Sequence, residues 1–136
     1  MADTMLFELV SPERVLVSEQ VTEVQIPARE GFIGVMPGHA PLLSELKAGG
    51  VLTYKSAGAQ KVIALFGGFV EVLPDRVRIL ADGAERKEEI DLAAAQAELV
   101  VAQKQVDSLM AGAAAPAVAL DQAMQAQAKV DAVTKH

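Results

Sequence analysis

The first half of the chain consists of short apolar runs, several of which alternate apolar and polar residues. In the run RVRILA (76–81), Val77 and Ile79 fall on one face and Arg76 and Arg78 on the other, which is the period of a half-buried β-strand. Turn-forming residues separate the runs. Because no helical pattern intervenes, we expect antiparallel pairing in a sandwich or a barrel. The predicted strands are residues 5–10, 21–28, 50–56, 61–66, 69–73 and 76–81.

The period changes near Ile90. Residues 91–110 contain neither glycine nor proline and carry apolar residues three and four positions apart, which predicts an amphipathic helix. Gly112 is suited to end this helix and Pro116 to begin another, so we predict an antiparallel two-helix hairpin. The apolar stripes are Leu92, Ala95, Leu99, Ala102, Val106 and Leu109, then Ala119, Ala123, Ala126, Val130 and Val133.

Alanine dominates the predicted seam between these two helices. At roughly 25 cal/mol per Å² of buried apolar surface, an alanine seam is much weaker than a leucine seam. We therefore expect the hairpin to be marginal alone, and either to dock on the β-structure or to open and bind elsewhere.

Composition excludes several classes of function. The 136 residues include no cysteine, two histidines far apart in sequence, and scattered basic residues within a formal net charge of −6. Disulfides and thiol chemistry are excluded, a histidine-rich metal site is not expected, and no clustered basic face is available for nucleic acid. The N-terminus has no secretory pattern and no run is long enough to span a bilayer, so we expect a soluble intracellular protein.

The segment EGFIGVMPGHAPLLSELKAGG (30–50) combines five glycines with His39. It lacks the lysine-containing phosphate-loop pattern and a following helix, so its glycines are interpreted as turn and close-approach residues. Ser44 and Glu45 are near His39 only in sequence, and a histidine bonded to the backbone is the simpler interpretation. The acidic pair Glu88 and Glu89 is interpreted as a solvated linker. We expect no catalysis by this chain alone.

The same segment is apolar and almost free of charge between residues 32 and 43. Apolar residues at a rigid, turn-rich surface favour contact with a partner protein. The alternative is that they close the end of the β-structure. The residues concerned are Phe32, Ile33, Met36, Leu42 and Leu43.

Three segments carry a resemblance to a known family. Residues 30–50, then GGFVEVL (67–73) and ILADGAERKEEID (79–91), closely resemble the epsilon subunit of bacterial F-type ATP synthases, whose mitochondrial equivalent is called delta. The resemblance implies an antiparallel β-sandwich of about ten strands in residues 1–87. It also implies a C-terminal antiparallel two-helix hairpin in residues 88–136.

The resemblance further implies a role in the central stalk, or rotor. Such a subunit binds the gamma subunit and the ring of c subunits, couples proton flow to ATP synthesis, and catalyses nothing itself. Segment 30–43 would lie at the end of the sandwich that faces the c-ring, with His39 close to gamma. The implied contact residues are Glu30, Phe32, Met36, His39, Leu42 and Leu43.

The hairpin departs from the family pattern where some members bind ATP. Ile90, Asp91 and Ala95 match the motif Ile/Leu-Asp-x-x-Arg-Ala, but Ala94 replaces its arginine. The missing guanidinium removes a charge-assisted phosphate donor. Asp91 is then read as the N-cap of the first helix. We expect no bound cofactor, with Ile90 and Asp91 retained as the weak candidates for nucleotide contact.

In the family an extended hairpin reaches the alpha and beta subunits and inhibits ATP hydrolysis through basic residues of its second helix. Here that region offers Lys129, Lys135 and His136, opposed by Asp121 and Asp131. From Glu89 onward six acidic and three basic residues give a net formal charge of −3. Attraction to an acidic surface should be weak, so we expect a coupling role with weak autoinhibition.

The resemblance implies a peripheral location on the cytoplasmic face of the bacterial inner membrane, reached only through the complex. A different class stays open: a stand-alone β-sandwich interaction module that forms oligomers through its helical tail. The epsilon-subunit resemblance predicts a monomer that joins a gamma-containing complex. The stand-alone module predicts self-association.

Overall fold

Ten β-strands precede the helical part of the chain. The computed structural model describes residues 3–110 and 117–136. Alternating burial follows the predicted period: Val77 and Ile79 are fully buried, and Arg76 and Arg78 lie half-buried on the opposite face. The strands are β1 (Met5–Val10), β2 (Val15–Val21), β3 (Glu23–Ala28), β4 (Gly31–Val35), β5 (Leu42–Glu45), β6 (Gly50–Ser56), β7 (Ala59–Leu65), β8 (Gly68–Leu73), β9 (Arg76–Ala81) and β10 (Ala84–Arg86).

These strands form two packed five-stranded sheets, which confirms the predicted sandwich. Sheet A has the order β2-β1-β9-β8-β5, and sheet B the order β10-β7-β6-β3-β4. Their inner faces share one apolar core, because burying such side chains is the main favourable contribution to folding. Its largest fully buried side chains include Phe7, Met5, Leu9, Ile26, Leu52, Ile63, Leu65 and Ile79.

One strand pair contradicts the expectation of antiparallel pairing throughout. β1 and β9 run parallel, with Phe7 opposite Val77 and Leu9 opposite Ile79. The intervening residues 11–75 include seven other strands, so no tight turn fixes the direction in which β9 returns.

The predicted strand 21–28 is wrong in detail, and the turn-rich segment 30–43 contains more strand than its glycines and prolines indicate. Val21 ends β2, and Glu23 begins β3 after a bend at Thr22. Much of 30–43 is strand, because Ile33 in β4 and Leu42 in β5 pack against the core. A glycine- and proline-rich sequence therefore supplies an edge strand to each sheet.

A single 3-10 turn (Lys87–Glu89) leads into α1 (Leu92–Met110), which is followed by α2 (Ala117–Thr134). Of the predicted stripes, Ala95, Ala102, Val106, Ala119 and Ala126 are buried, and Leu92, Leu99, Ala123, Val130 and Val133 are half-buried. Lys129 near the end of α2 contacts Glu98 near the start of α1, so the helices run antiparallel. The predictions for Gly112, Pro116 and the Leu109 side chain lie outside the described residues.

The second helix docks on the outer face of sheet B. Ala128 and Ala132 of α2 form one buried cluster with Val51, Val62 and Ala64 of β6 and β7. Of the two predicted positions of the hairpin, the structure shows the docked one. The division into domains 1–87 and 88–136 stays a prediction.

Glu88 and Glu89 are both exposed, as expected for a solvated linker, but Glu89 is also held by a partner distant in sequence. Its carboxylate accepts two hydrogen bonds from the Arg14 guanidinium, at 2.7 and 2.8 Å. It also accepts one from the Arg86 backbone N–H. The Arg14 bonds, with the Arg86 bond second, lower the pKa of Glu89 to about 2. The linker is thereby tied to the β1–β2 connection.

Candidate interaction surfaces

The outer face of sheet A carries a row of four exposed or half-buried apolar side chains, here called the outer row. Phe69 lies opposite Leu80, Leu80 opposite Val10, and Val10 opposite Val15. Phe69, Leu80 and Val15 are 54%, 55% and 64% exposed. The row crosses four adjacent strands at one ladder position, so its side chains form a continuous apolar strip.

Charged residues next to the outer row largely neutralise one another. Two residues further along these strands, on the same face, Glu71 lies opposite Arg78, which lies opposite Glu8. The Arg78 guanidinium is 3.5 Å from the Glu8 carboxylate. The outer face thus offers apolar area with little net charge, a composition typical of the centre of a protein interface.

The six contact residues predicted in segment 30–43 do not form a single patch. Phe32 and Leu43, 63% and 74% exposed, line one surface groove of about 460 Å³ at the sandwich edge, together with Glu30 and Ile33. The Lys47 ammonium lies 5.5 Å from the centre of the Phe32 ring, where a cation is attracted by the ring. The groove joins the outer face of sheet A through Leu43, which lies opposite Glu71.

Met36 and His39 occupy the other end of β4. The five residues of that strand separate them from Glu30 by roughly 13 Å or more, at about 3.3 Å per residue. Their turn is fixed by a 2.7 Å hydrogen bond from the Gly38 N–H to the Pro74 carbonyl. Gly38 adopts φ 88°, which glycine adopts without strain. Met36 is 62% exposed, so this end offers a second, separate apolar contact.

The chemistry around His39 is structural. Its Nδ1 lies 2.6 Å from the Ala40 carbonyl oxygen, which can only accept, so this nitrogen carries the proton. The Ser44 hydroxyl donates to the Glu45 carbonyl, and the Glu45 carboxylate pairs with Arg29 at 2.6 Å. Neither neighbour forms a hydrogen bond with the His39 ring, and the expected backbone-bonded histidine is confirmed.

The two residues that match the nucleotide motif have other roles in the docked hairpin. Asp91 is the predicted N-cap: its Oδ1 accepts a 3.1 Å hydrogen bond from the Ala94 N–H, satisfying one free donor of α1. Ile90 is half-buried and packs on the cluster between α2 and sheet B. Ala94 is exposed and offers no hydrogen-bonding side chain at the position of the family arginine.

Sequence reasoning missed the outer row, although part of its signal was visible. In β8 and β9 the residues Val70, Val72, Val77 and Ile79 point into the core. Phe69 and Leu80 therefore stand on the polar faces of their strands, where an apolar residue is unexpected. Phe69 and Leu80 lie opposite each other because of the strand register, which the hydrophobic pattern of the sequence does not determine.

Within 3–110 and 117–136 no group of three or more histidine, cysteine, aspartate or glutamate residues could hold a metal ion. No helix in the described part of the chain is long and apolar enough to cross a membrane.

A small β-sandwich with a docked helical hairpin and an uncovered apolar outer face is typical of a subunit of a larger assembly. Residues 4–87 match the family described as "ATP synthase, Delta/Epsilon chain, beta-sandwich domain". The chain belongs to the ATP synthase delta/epsilon chain family.

Two relatives extend the match beyond the sandwich. The ATP synthase epsilon chain of Solibacter usitatus (strain Ellin6076) is 50% identical over 135 residues, 99% of each chain. That of Rhizobium meliloti (strain 1021) is 47% identical over 106 residues, 73% of this chain and 79% of the relative. The similarity therefore includes the hairpin.

A solved structure supports the fold. A chain of the Euglena gracilis mitochondrial ATP synthase, from a structure of its OSCP, F1 and c-ring parts, superposes with a TM-score of 0.78 at 22% identity. The match covers 99% of this chain and 82% of that one. The arrangement of sandwich and helical hairpin thus persists at low sequence identity.

Proposed function

We propose that this chain is a central-stalk subunit of a proton-translocating F-type ATP synthase, coupling rotation of the c-ring to ATP synthesis without catalysing a reaction itself. Membership of the delta/epsilon family and 50% identity to an ATP synthase epsilon chain over nearly the full length support this role. The observation that carries it is the outer row, because a rotor part must hold its neighbours through stable buried contacts. Exposed ion pairs are worth only about 0–1 kcal/mol each.

The gamma subunit is the proposed partner of the outer face of sheet A. That face has an apolar strip of Phe69, Leu80, Val10 and Val15 beside the ion pair between Arg78 and Glu8. The opposite outer face, on sheet B, already carries α2. A partner that covers sheet A would therefore leave the hairpin undisturbed.

The sandwich edge is the proposed contact for the c-ring. Phe32, Met36 and Leu43 are its most exposed apolar side chains, and Glu30 and His39 stand at its two ends. The rigid turn at Gly38 and the ion pair between Arg29 and Glu45 hold the ends of this edge. Contacts of this kind fit a joint that must keep its shape under load.

The hairpin is proposed to reach the alpha and beta subunits only when it leaves sheet B, and to inhibit hydrolysis weakly. In the docked state Lys129 pairs with Glu85 and Glu98, and Lys135 pairs with Asp131. Of these pairs, only the one with Glu85 is lost when the hairpin leaves sheet B, so few cations become available to attract an acidic surface. Removing residues 88–136 should therefore change ATPase activity little, and a large rise in ATPase activity would contradict this part of the proposal.

The hairpin is proposed not to hold ATP at micromolar concentration. Asp91 is engaged as a helix cap, and Ala94 cannot supply a phosphate contact. A missing charged hydrogen bond is worth about 1.5–3 kcal/mol. Isothermal titration with ATP should give no micromolar binding, and a micromolar dissociation constant would overturn this point.

Capture from membranes tests the role. We would add the tagged chain to detergent-extracted membranes of a bacterium whose own subunit has been deleted, and identify the bound proteins by mass spectrometry. Gamma and c subunits should be recovered, from a complex on the cytoplasmic face of the membrane. Recovery of the chain alone, as a self-associated oligomer, would instead support the stand-alone module.

A further inference from the structure

The loop between β5 and β6 touches α2 at backbone distance. A methyl group on Gly49 would lie 2.3 Å from the Met124 carbonyl oxygen, 2.4 Å from its carbon and 2.6 Å from the Gln125 nitrogen. These are backbone atoms, which cannot rotate away as a flexible side chain can. Gly49 is not among the glycines with positive φ, so alanine is excluded there by the docked helix and not by the loop's own conformation.

A charged contact lies one turn further along α2. The Lys129 ammonium is 3.3 Å from the Glu85 carboxylate in β10 and 3.0 Å from that of Glu98 in α1. It also stands 5.5 Å from the centre of the Phe66 ring, beside sheet B. The Lys129 side chain is only 19% exposed, so its contacts are partly shielded from solvent. Undocking would remove the Glu85 and Phe66 contacts and keep that with Glu98, because Glu98 belongs to the hairpin.

On the helix side, the remaining contact between α2 and sheet B is built from alanines, with Phe66 and Ile90 packed against the same cluster. Ala128 and Ala132 pack on Val51, Val62 and Ala64, and a buried alanine contributes much less than a buried leucine. Because the helix contributes only alanines to this cluster, single side chains elsewhere in the contact can decide how often the helix is docked.

We propose that Gly49 and Lys129 form a two-part latch that sets the fraction of molecules with α2 docked on sheet B. Because Gly49 has no side chain, the backbone of α2 can pack directly against the β5–β6 loop. Lys129 stabilises the docked helix through its contacts with Glu85 and Phe66. The latch is a property of this chain by itself and does not depend on the proposed function.

The test measures the docked fraction directly. The chain has no cysteine, so cysteines introduced at the exposed positions Ser18 and Gln127 can carry a pair of spin labels. Pulsed electron resonance then gives the distance distribution between sandwich and helix in the full chain. Variants are Gly49→Ala and Lys129→Gln. Their matched controls are Gly34→Ala, where the added methyl meets only the end of the Gln25 side chain, and Lys135→Gln, which loses an ion pair between Asp131 of α2 and the residue that follows the helix.

We expect Gly49→Ala to raise the undocking equilibrium constant at least tenfold and Lys129→Gln at least threefold. Gly34→Ala and Lys135→Gln should stay within twofold of the parent. Thermal unfolding of each variant verifies that the sandwich is folded, and Lys129→Gln tests the latch even if Gly49→Ala does not fold. The two-part latch is overturned if either latch variant gives the same distance distribution as the parent chain while its control is also unchanged.

Discussion

Truncating Phe69 to alanine removes the largest side chain of the outer row without touching the core. A buried aromatic side chain contributes about 150–250 Å², and Phe69 is 54% exposed. About 80–135 Å² is therefore open to a partner, worth about 2–3 kcal/mol at roughly 25 cal/mol per Å². The dissociation constant for the gamma subunit should rise about 30- to 150-fold, since each 1.4 kcal/mol is a factor of about ten.

The assay is a titration of the chain against immobilised gamma subunit, with unfolding of the free chain measured in parallel. Phe69 faces solvent, and its contact with Leu80 across the strands is worth about 0.2–1 kcal/mol, so the free chain should lose less than about 1 kcal/mol. Val100→Ala is the matched control, because Val100 is 52% exposed on α1, away from this face. An affinity loss below threefold for Phe69→Ala, or an equal loss for Val100→Ala, would refute the assignment of the outer row.

Three further changes test separate parts of the structure. Met36→Asp should weaken association with the c-ring in co-purification and leave stability nearly unchanged; Met36 is a cleaner site than the half-buried Leu42, and normal recovery of the complex would contradict the edge assignment. Asp91→Ala should cost about 0.5–2 kcal/mol of helix stability through the lost N-cap, read as faster amide exchange in the first turn of α1, and unchanged exchange would contradict it. Glu89→Gln should remove a pH-dependent contribution: the pKa of Glu89 falls from 4.5 unfolded to about 2 folded, so the pairing stabilises the fold above about pH 4.5 and is lost as the pH falls toward 2. Parent and variant should differ in melting temperature at pH 7 and converge near pH 2, and a constant difference would contradict this.

Much of the sandwich could be predicted from the sequence because its strands alternate cleanly. In β9, for example, the buried residues Val77 and Ile79 alternate with the half-buried Arg76 and Arg78. The parallel pairing of β1 with β9 could not be predicted, since it joins strands separated by residues 11–75. The edge strands β4 and β5 could not be predicted, because their glycines and prolines resemble those of a loop. Only the packing of Ile33 and Leu42 on the core identifies these segments as strands.

The hairpin shows the same limit. A single helical stripe on α2 predicts one buried face, but Ala128 and Ala132 form a second that packs on sheet B. Alanine gives little signal of burial because it is common on exposed helical faces too. Similarly, the ion pair of Glu89 could not be predicted, because its partner Arg14 lies far away in sequence.

Of the candidate surfaces, the exposure of Phe32, Met36 and Leu43 was foreseen, but not their separation along β4. The outer row was missed because it depends on the register of four strands. Whether these surfaces bind gamma and the c-ring stays a prediction.

The central claim is that the chain couples proton flow to ATP synthesis. The most direct measurement uses inverted membrane vesicles from a strain that lacks its own subunit, to which the purified chain is added back while ATP synthesis driven by a proton gradient is recorded. We expect synthesis to rise with added chain and to saturate, and Phe69→Ala to require a higher concentration. Equal synthesis with and without the chain, in vesicles where the native subunit does restore it, would contradict the account.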